Sequence, residues 1–265
     1  MRRFSVLLPI LLCTLVLLGC QIVPKDMAEP VTAPTAPFAA IPVTQPPETA
    51  IPVQTEAIVH SPLFLPELSA EDVICYFEEV CLSAEYVNSG NPSLVQKWAE
   101  PLVYQIHGTP TPEDLATLEH FAAGLNEIPG FPGIWEAQNP EEATINIHFC
   151  CREDFLALMG NNFLGSDGGV TFWYKENQIY QAVVGICTDL DQSLRNAVIL
   201  EELYNGLGPV QDTNLRSDSI IWSGFSAPQE LTDIDWLVLK LLYCQEMQCG
   251  WDAAACEALI RELYY

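Results

Sequence analysis

The chain has 265 residues, 49 % of them hydrophobic and 10 % aromatic, which is enough for a leader and one domain with a sizeable core. Acidic residues outnumber basic ones 35 to 10, and two of the ten, Arg2 and Arg3, stand at the very start. Such a field repels nucleic acid and anionic surfaces, because phosphate neutralisation needs clustered Lys and Arg. No nucleic-acid partner is expected; the acidity serves solubility or favours cationic partners.

Met1-Arg-Arg followed by the apolar run Phe4 to Leu18 forms a short positive region and a hydrophobic region, together a signal peptide over residues 1–19. It ends Leu17-Leu18-Gly19-Cys20, which resembles the bacterial lipobox. That resemblance implies that Cys20 is the lipidated first residue of the mature chain. The domain would then be held on the cell membrane through this lipid, facing outside the cytoplasm, and more than one acyl chain is needed for stable anchoring. Residues 20–66 form the tether, which carries half of the chain's 20 prolines and a near-repeat, Ala40-Ile-Pro-Val-Thr and Ala50-Ile-Pro-Val-Gln. Proline at this density favours extended polyproline conformations, and a fully extended tether would span on the order of 140 Å.

A domain over residues 67–265 follows. Ser69-Ala-Glu-Asp72 is a capping box with Leu68 and Val73 as a hydrophobic staple, opening a helix to about Tyr86. Pro101 to His107 reads as a strand. Thr111-Pro-Glu-Asp114 places Pro at the first helical position and Asp three after the cap, opening a helix to about Asn126. Pro129-Gly-Phe-Pro-Gly133 is a turn cluster. Ile145, Ile147 and Phe149 alternate on one face of a half-buried strand, and a short helix follows from about Glu153. Val170 to Lys175 and Ile179 to Cys187 read as a hairpin turning at Glu176-Asn177-Gln178. A long helix spans about Gln192 to Leu207. Thr232-Asp-Ile-Asp235 caps another helix, to about Cys244, and a last one covers about Asp252 to Tyr264. Strands first and helices last predict an α+β domain: a small mixed sheet, a central helix and C-terminal helices.

Eight cysteines fall in the domain: Cys75, Cys81, Cys150, Cys151, Cys187, Cys244, Cys249 and Cys256. An even number in an exported chain points to disulfides, with Cys244 and Cys249 the most plausible local pair. Cys150 and Cys151 are adjacent, so their side chains point to opposite faces and seek different partners. A zinc cluster is the competing reading, without a Cys-x-x-Cys pair or a neighbouring His to support it.

On the long helix, Leu200, Leu203, Tyr204 and Leu207 share one face, while Glu201, Glu202 and Asn205 fall on another. A solvated helix end accounts for two exposed Glu. The neighbouring residues add a second reading. Glu201-Glu-Leu-Tyr-Asn-Gly-Leu-Gly-Pro-Val-Gln211 has the spacing of the metzincin zinc motif H-E-x-x-H-x-x-G-x-x-H. Ser219-Ile-Ile-Trp222 stands where that family has its S-x-M turn, and Leu231-Thr-Asp-Ile-Asp235 where it opens its next helix with L-[ST]-x-x-D. Glu201, Asn205 and Gln211 occupy the three His positions, Ile221 the Met, and Glu202 keeps the general-base position. More specifically, Ile199-Leu-Glu-Glu-Leu-Tyr-Asn-Gly-Leu-Gly208, Ser219-Ile220, Leu231 to Tyr243, Trp98-Ala-Glu-Pro-Leu-Val103 and Thr111-Pro-Glu-Asp114 resemble the domain of unknown function 2927, over roughly residues 90 to 250. That resemblance implies a zincin-like fold with a degenerate metal site and brings no assigned activity.

No metal or other cofactor is expected. Amides at Asn205 and Gln211 are poor zinc ligands. A hard cation such as calcium would accept the oxygens of Glu201, Asn205, Gln211 and Asp212, but no loop motif supports it. The leading expectation is a non-catalytic lipoprotein domain, a pseudoenzyme that binds a protein, peptide or cell-wall partner outside the cytoplasm. The alternative is a peptide or cell-wall hydrolase using Glu202 without a standard zinc site. A third reading is a surface spacer. An enzyme requires Glu202 partly buried beside other titratable groups, a binding module requires a groove beside it, and a spacer requires neither.

Overall fold

The computed structural model describes residues 61–82, 94–224 and 227–265. The expected signal peptide, Cys20, most of the expected tether and the expected end of the first helix lie outside the described residues. Among the described residues no helix is long and apolar enough to cross a membrane.

Helix α1 (Ala70–Leu82) opens at the Ser69 capping box, where Asp72 accepts from the Ser69 backbone N–H at 3.0 Å and Ser69 accepts from the Asp72 N–H at 3.1 Å. Strands β1 (Lys97–Trp98) and β2 (Leu102–Gly108) follow, then α2 (Pro112–Asn126), β3 (Ile134–Glu136), β4 (Ile145–Cys150) and α3 (Arg152–Met159). The hairpin is β5 (Gly168–Lys175) and β6 (Gln178–Cys187), and helices α4 (Gln192–Asn205), α5 (Asp233–Tyr243) and α6 (Ala253–Leu263) complete the chain. The hairpin loop is shorter than expected by one residue: Glu176 and Asn177 turn at φ 53° and 62°, the left-handed pair that suits the twist of a two-residue hairpin, and Gln178 already belongs to β6.

The six strands make one sheet in which β3, β2, β4 and β6 lie side by side and parallel, and β5 runs antiparallel to β6. Because β5 occupies one edge of β6 along its length, β1 and β4 must share the other, pairing with its first and last residues. The mixed sheet fits the α+β expectation. Its mostly parallel pairing is the part that alternation along single strands does not reveal.

Side-chain alternation sends neighbouring glycines of β5 to opposite faces. A Cβ on Gly168 would sit 2.4 Å from Val198 of α4, whereas one on Gly169 would sit 2.5 Å from Phe163, beyond α3. Helix α4 therefore lies on one face of the sheet, and α3 with the segment after it covers part of the other. The main core fills the α4 side: Ile145, Ile147 and Phe149 of β4 join Leu118, Phe121 and Leu125 of α2 and Leu203 and Tyr204 of α4. Helix α5 is buried nearly all round, with only Asp233 at its first position and Lys240 exposed. At the chain ends, the Tyr264 hydroxyl donates to the Leu65 and Leu68 carbonyls at 2.9 and 3.0 Å, and Ser61 donates to Leu263 at 2.6 Å. Contact with the domain thus begins ahead of Leu68.

All eight domain cysteines are free thiols in this structure, so the expected Cys244–Cys249 bridge is not formed. The Cys249 thiol faces the Lys97 carbonyl at 3.9 Å, while Cys244 caps the end of α5.

Candidate functional site

Helix α4 is fixed at both ends. Asp191 caps it by accepting the Leu194 N–H at 3.1 Å. One turn in, Arg195 is buried and donates to Asp114 at 2.8 Å, to the Thr188 carbonyl at 3.0 Å and to Gln192 at 2.6 Å. Asp114 is the third residue of the α2 capping box, so the group that opens α2 also holds α4. Burial opposes charge on Asp114. The Thr111 N–H, Arg195 and Gln192 outweigh that and hold its carboxyl below the ordinary value.

The carbonyls that a helix leaves unpaired at its C-terminus need partners. Trp98 Nε1 of β1 donates to the Gly206 carbonyl at 2.9 Å, and the Tyr243 hydroxyl of α5 donates to Leu207 at 2.8 Å. Gly208 then turns the chain at φ 128°, and a Cβ there would meet the Gln96 carbonyl at 2.4 Å, so both the backbone angle and the space demand glycine.

Between these ends lie Glu201 and Glu202. Leu200 and Glu202 stand about 200° apart around the helix and so face nearly opposite ways. A cleft of about 300 Å³, lined by Leu200, His120, Gln229 and Trp236 among others, therefore opens on the side of α4 away from Glu202. Glu202 itself is only 9 % exposed. Its cover is the start of β5: a Cβ on Gly168 would come within 2.9 Å of Glu202 Oε1. Burial pushes the Glu202 carboxyl well above its ordinary range, and the charges of Glu201 and Asp212 push it further. Glu201 is half-buried and is pushed up to about 7, by burial first and then by Asp212 and Asp167. The polar face expected to be solvated is thus a desolvated acid pair, near the charge of Asp212 and of Asp167, the latter ion-paired with Arg152.

Asn205 and Gln211 stand at the other two positions that the resemblance assigns to metal ligands. Asn205 Oδ1 is buried without a hydrogen-bond partner among the described residues. Gln211 donates its amide to the Asp212 carbonyl at 3.2 Å. Among the described residues, no three His, Cys, Asp or Glu side chains are grouped so as to hold an ion. One carboxylate and two neutral amides also make a poor donor set for zinc. The described histidines lie elsewhere: His107 and His148 stack at 4.3 Å on β2 and β4, and His120 is on α2.

The residues at the Met-turn and next-helix positions do come together. Ser219 donates to Asp235 Oδ1 at 2.7 Å, the Ile220 N–H donates to Oδ2 at 3.1 Å, and Oδ2 also accepts from the Thr232 N–H and hydroxyl at 2.9 and 2.8 Å. The Tyr76 hydroxyl of α1 donates to Ser219 at 2.6 Å. Asp235, the capping residue of α5, therefore doubles as the clamp of the 219–222 turn; despite these bonds, burial raises its carboxyl. Ile221, fully buried, accepts the Thr213 N–H at 2.9 Å through its carbonyl, which ties the turn to the loop leaving α4. Sequence reasoning missed Gly168, Asp167, Tyr76 and the capping roles of Trp98 and Tyr243. In the sequence Gly168 and Gly169 read as the end of a Gly/Asn-rich loop ahead of a strand from Val170; the structure instead starts β5 at Gly168.

This arrangement offers a buried proton-holding pair, with one member pushed up to about 7, where a nearby cationic group would favour the ionised form. No curated protein matches the chain. The family described as Protein of unknown function (DUF2927) matches residues 70–262, nearly the whole of the domain, and the chain belongs to that family.

Proposed function

We propose that the protein is an extracytoplasmic lipoprotein, anchored through Cys20, whose zincin-like domain is a non-catalytic binding module. Its partner is an extended, basic peptide segment of an envelope or extracellular component, laid along the outer edge of β5. The observation that carries this reading is the edge itself. Among the described residues β5 pairs only with β6 and no backbone hydrogen bond reaches its outer side, so a row of N–H and C=O groups stands ready for another strand. Two features suit such a partner. Trp173, Tyr174 and Tyr180 are 42, 52 and 53 % exposed around the hairpin end, aromatic side chains of the kind that anchor interfaces. At the other end of β5, Gly168 abuts Glu202, and Glu201 and Asp212 lie near it, where a Lys or Arg side chain would relieve the repulsion among carboxylates. The zincin-like frame is supported by the Ser219–Asp235 clamp and by Gly208, which stand at the positions the resemblance assigns them.

A second reading, a peptide or cell-wall hydrolase using Glu202, is favoured by the titration of Glu201 near 7, since a general acid or base works best with a pKa close to the working pH. A peptide array probed with the full chain tests both. Basic extended peptides should bind, at least tenfold more weakly in a Trp173→Ala/Tyr174→Ala variant, and remain intact. Peptide cleavage that disappears in Glu202→Gln would establish the hydrolase instead. Absence of any binding that the aromatic variant weakens would remove the peptide-edge reading.

A further inference from the structure

Cys150 closes β4 and Cys187 closes β6, and the parallel pairing of these strands sets the two residues directly beside each other. Paired strands run about 4.7–4.9 Å apart, within the Cα separation that a disulfide accepts. Directly paired residues in a sheet project to the same face, here the face of His148 and Gly185. A Cβ on Gly185 would meet Phe155 of α3 at 2.8 Å, so both thiols sit on the side that α3 partly covers. Cys187 is fully buried there, and Cys150 is partly open. Cys151 turns away into solvent and faces Asp154 at 3.3 Å. The peptide-binding reading uses none of these groups.

We propose that Cys150 and Cys187 are a thiol–disulfide site, in which Cys150 takes up the oxidant and Cys187 closes a bridge from β4 to β6. The oxidant is a small disulfide or an oxidoreductase disulfide of an oxidising compartment. The Cys150 thiolate attacks one of its sulfurs, and one thiol leaves with the electron pair of the broken S–S bond. The Cys187 thiolate then attacks the mixed disulfide at Cys150 and releases the second thiol. Two S–H bonds are lost, one S–S bond forms, and the oxidant disulfide is reduced to two thiols. Burial raises both cysteines, Cys187 to about 11, so closure speeds up as pH rises. The bridge lies next to the acid pair: the Cys187 N–H donates to the Asp167 carbonyl at 2.9 Å, and the following residue, Gly168, covers Glu202. Closing it pins the end of β5 at the place where the site is buried.

The test uses the full chain, reduced and then incubated with oxidised glutathione, with free thiols alkylated before digestion under non-reducing conditions. The peptide holding Cys150 should be joined to the peptide holding Cys187, in the native sequence and in Cys151→Ala alike. In Cys187→Ala, glutathione should remain on Cys150. In Cys150→Ala, Cys187 should stay a free thiol. Joining should be roughly tenfold faster at pH 8 than at pH 7. The proposal is overturned if Cys150 and Cys187 are both alkylated after oxidation, if Cys150 stops at the glutathione adduct in the native sequence, or if Cys151 is the residue joined to Cys187. Circular dichroism confirms that each variant is folded. If Cys187→Ala does not fold, the native sequence with Cys150→Ala and Cys151→Ala still decides between these outcomes.

Discussion

Replacing Glu201 by Gln should remove a pH-dependent weakness from the domain. In the folded state this carboxyl is pushed up from 4.5 to about 7, by burial first and then by Asp212 and Asp167. In the unfolded chain it returns to the ordinary value. Between those two values the folded state holds a proton that the unfolded state has lost, so stability falls as pH rises through this window. Below pH 4.5 both states are protonated and nothing is lost; above about pH 7 both are ionised and the loss is complete. At 1.36 kcal/mol per unit, the shift corresponds to about 3 kcal/mol, and solvent around the half-buried side chain should reduce this to about 1–2 kcal/mol. Gln is near-isosteric with the protonated acid and cannot ionise. It also removes one of the charges that raise Glu202. The assay is urea unfolding followed by tryptophan fluorescence, from the acid end of the window to about pH 8. The native chain and Glu201→Gln should match at the acid end, and the native chain should be about 1–2 kcal/mol weaker than the variant at the alkaline end. Carboxylates whose values are lowered, such as Asp114 and Asp218, act in the opposite direction at low pH but are common to both proteins and cancel in the difference. A difference that stays constant across the pH range, or a variant less stable than the native chain at the alkaline end, would refute the desolvated-pair account.

Two further substitutions probe the frame around the site. Asp235→Ala strips the acceptor from Ser219, the Ile220 N–H and Thr232, leaving buried donors unpaired, and should cost at least about 3 kcal/mol; a loss under about 1 kcal/mol in denaturant titration would mean that the turn does not depend on this clamp. Arg195→Met leaves Asp114 fully buried without its cation and should cost about 3–5 kcal/mol, with Asp114→Asn in the same chain recovering much of it. Simple additivity in that double-mutant cycle would contradict the buried pair.

What the sequence determined by itself was local. The capping boxes at Ser69, Thr111 and Thr232, the alternation of Ile145, Ile147 and Phe149, and the two-strand pattern around Glu176-Asn177 all act within one turn or one strand, so they are readable without knowing the neighbours. The family followed from the same short-range residues, with Gly208, Ser219 and Asp235 in their expected order. Strands β1 and β3 carry two and three residues, too few for any period to show. Only the tertiary structure decided the rest. Parallel pairing joins strands through crossovers and leaves no mark on either strand alone. An even number of cysteines does not measure distances, and the sheet register, rather than proximity in sequence, set Cys150 beside Cys187. The acid pair is the clearest case: helical periodicity placed Glu201 and Glu202 on a polar face, yet Glu202 is buried because Gly168, a residue without a side chain, lets the start of β5 lie against it.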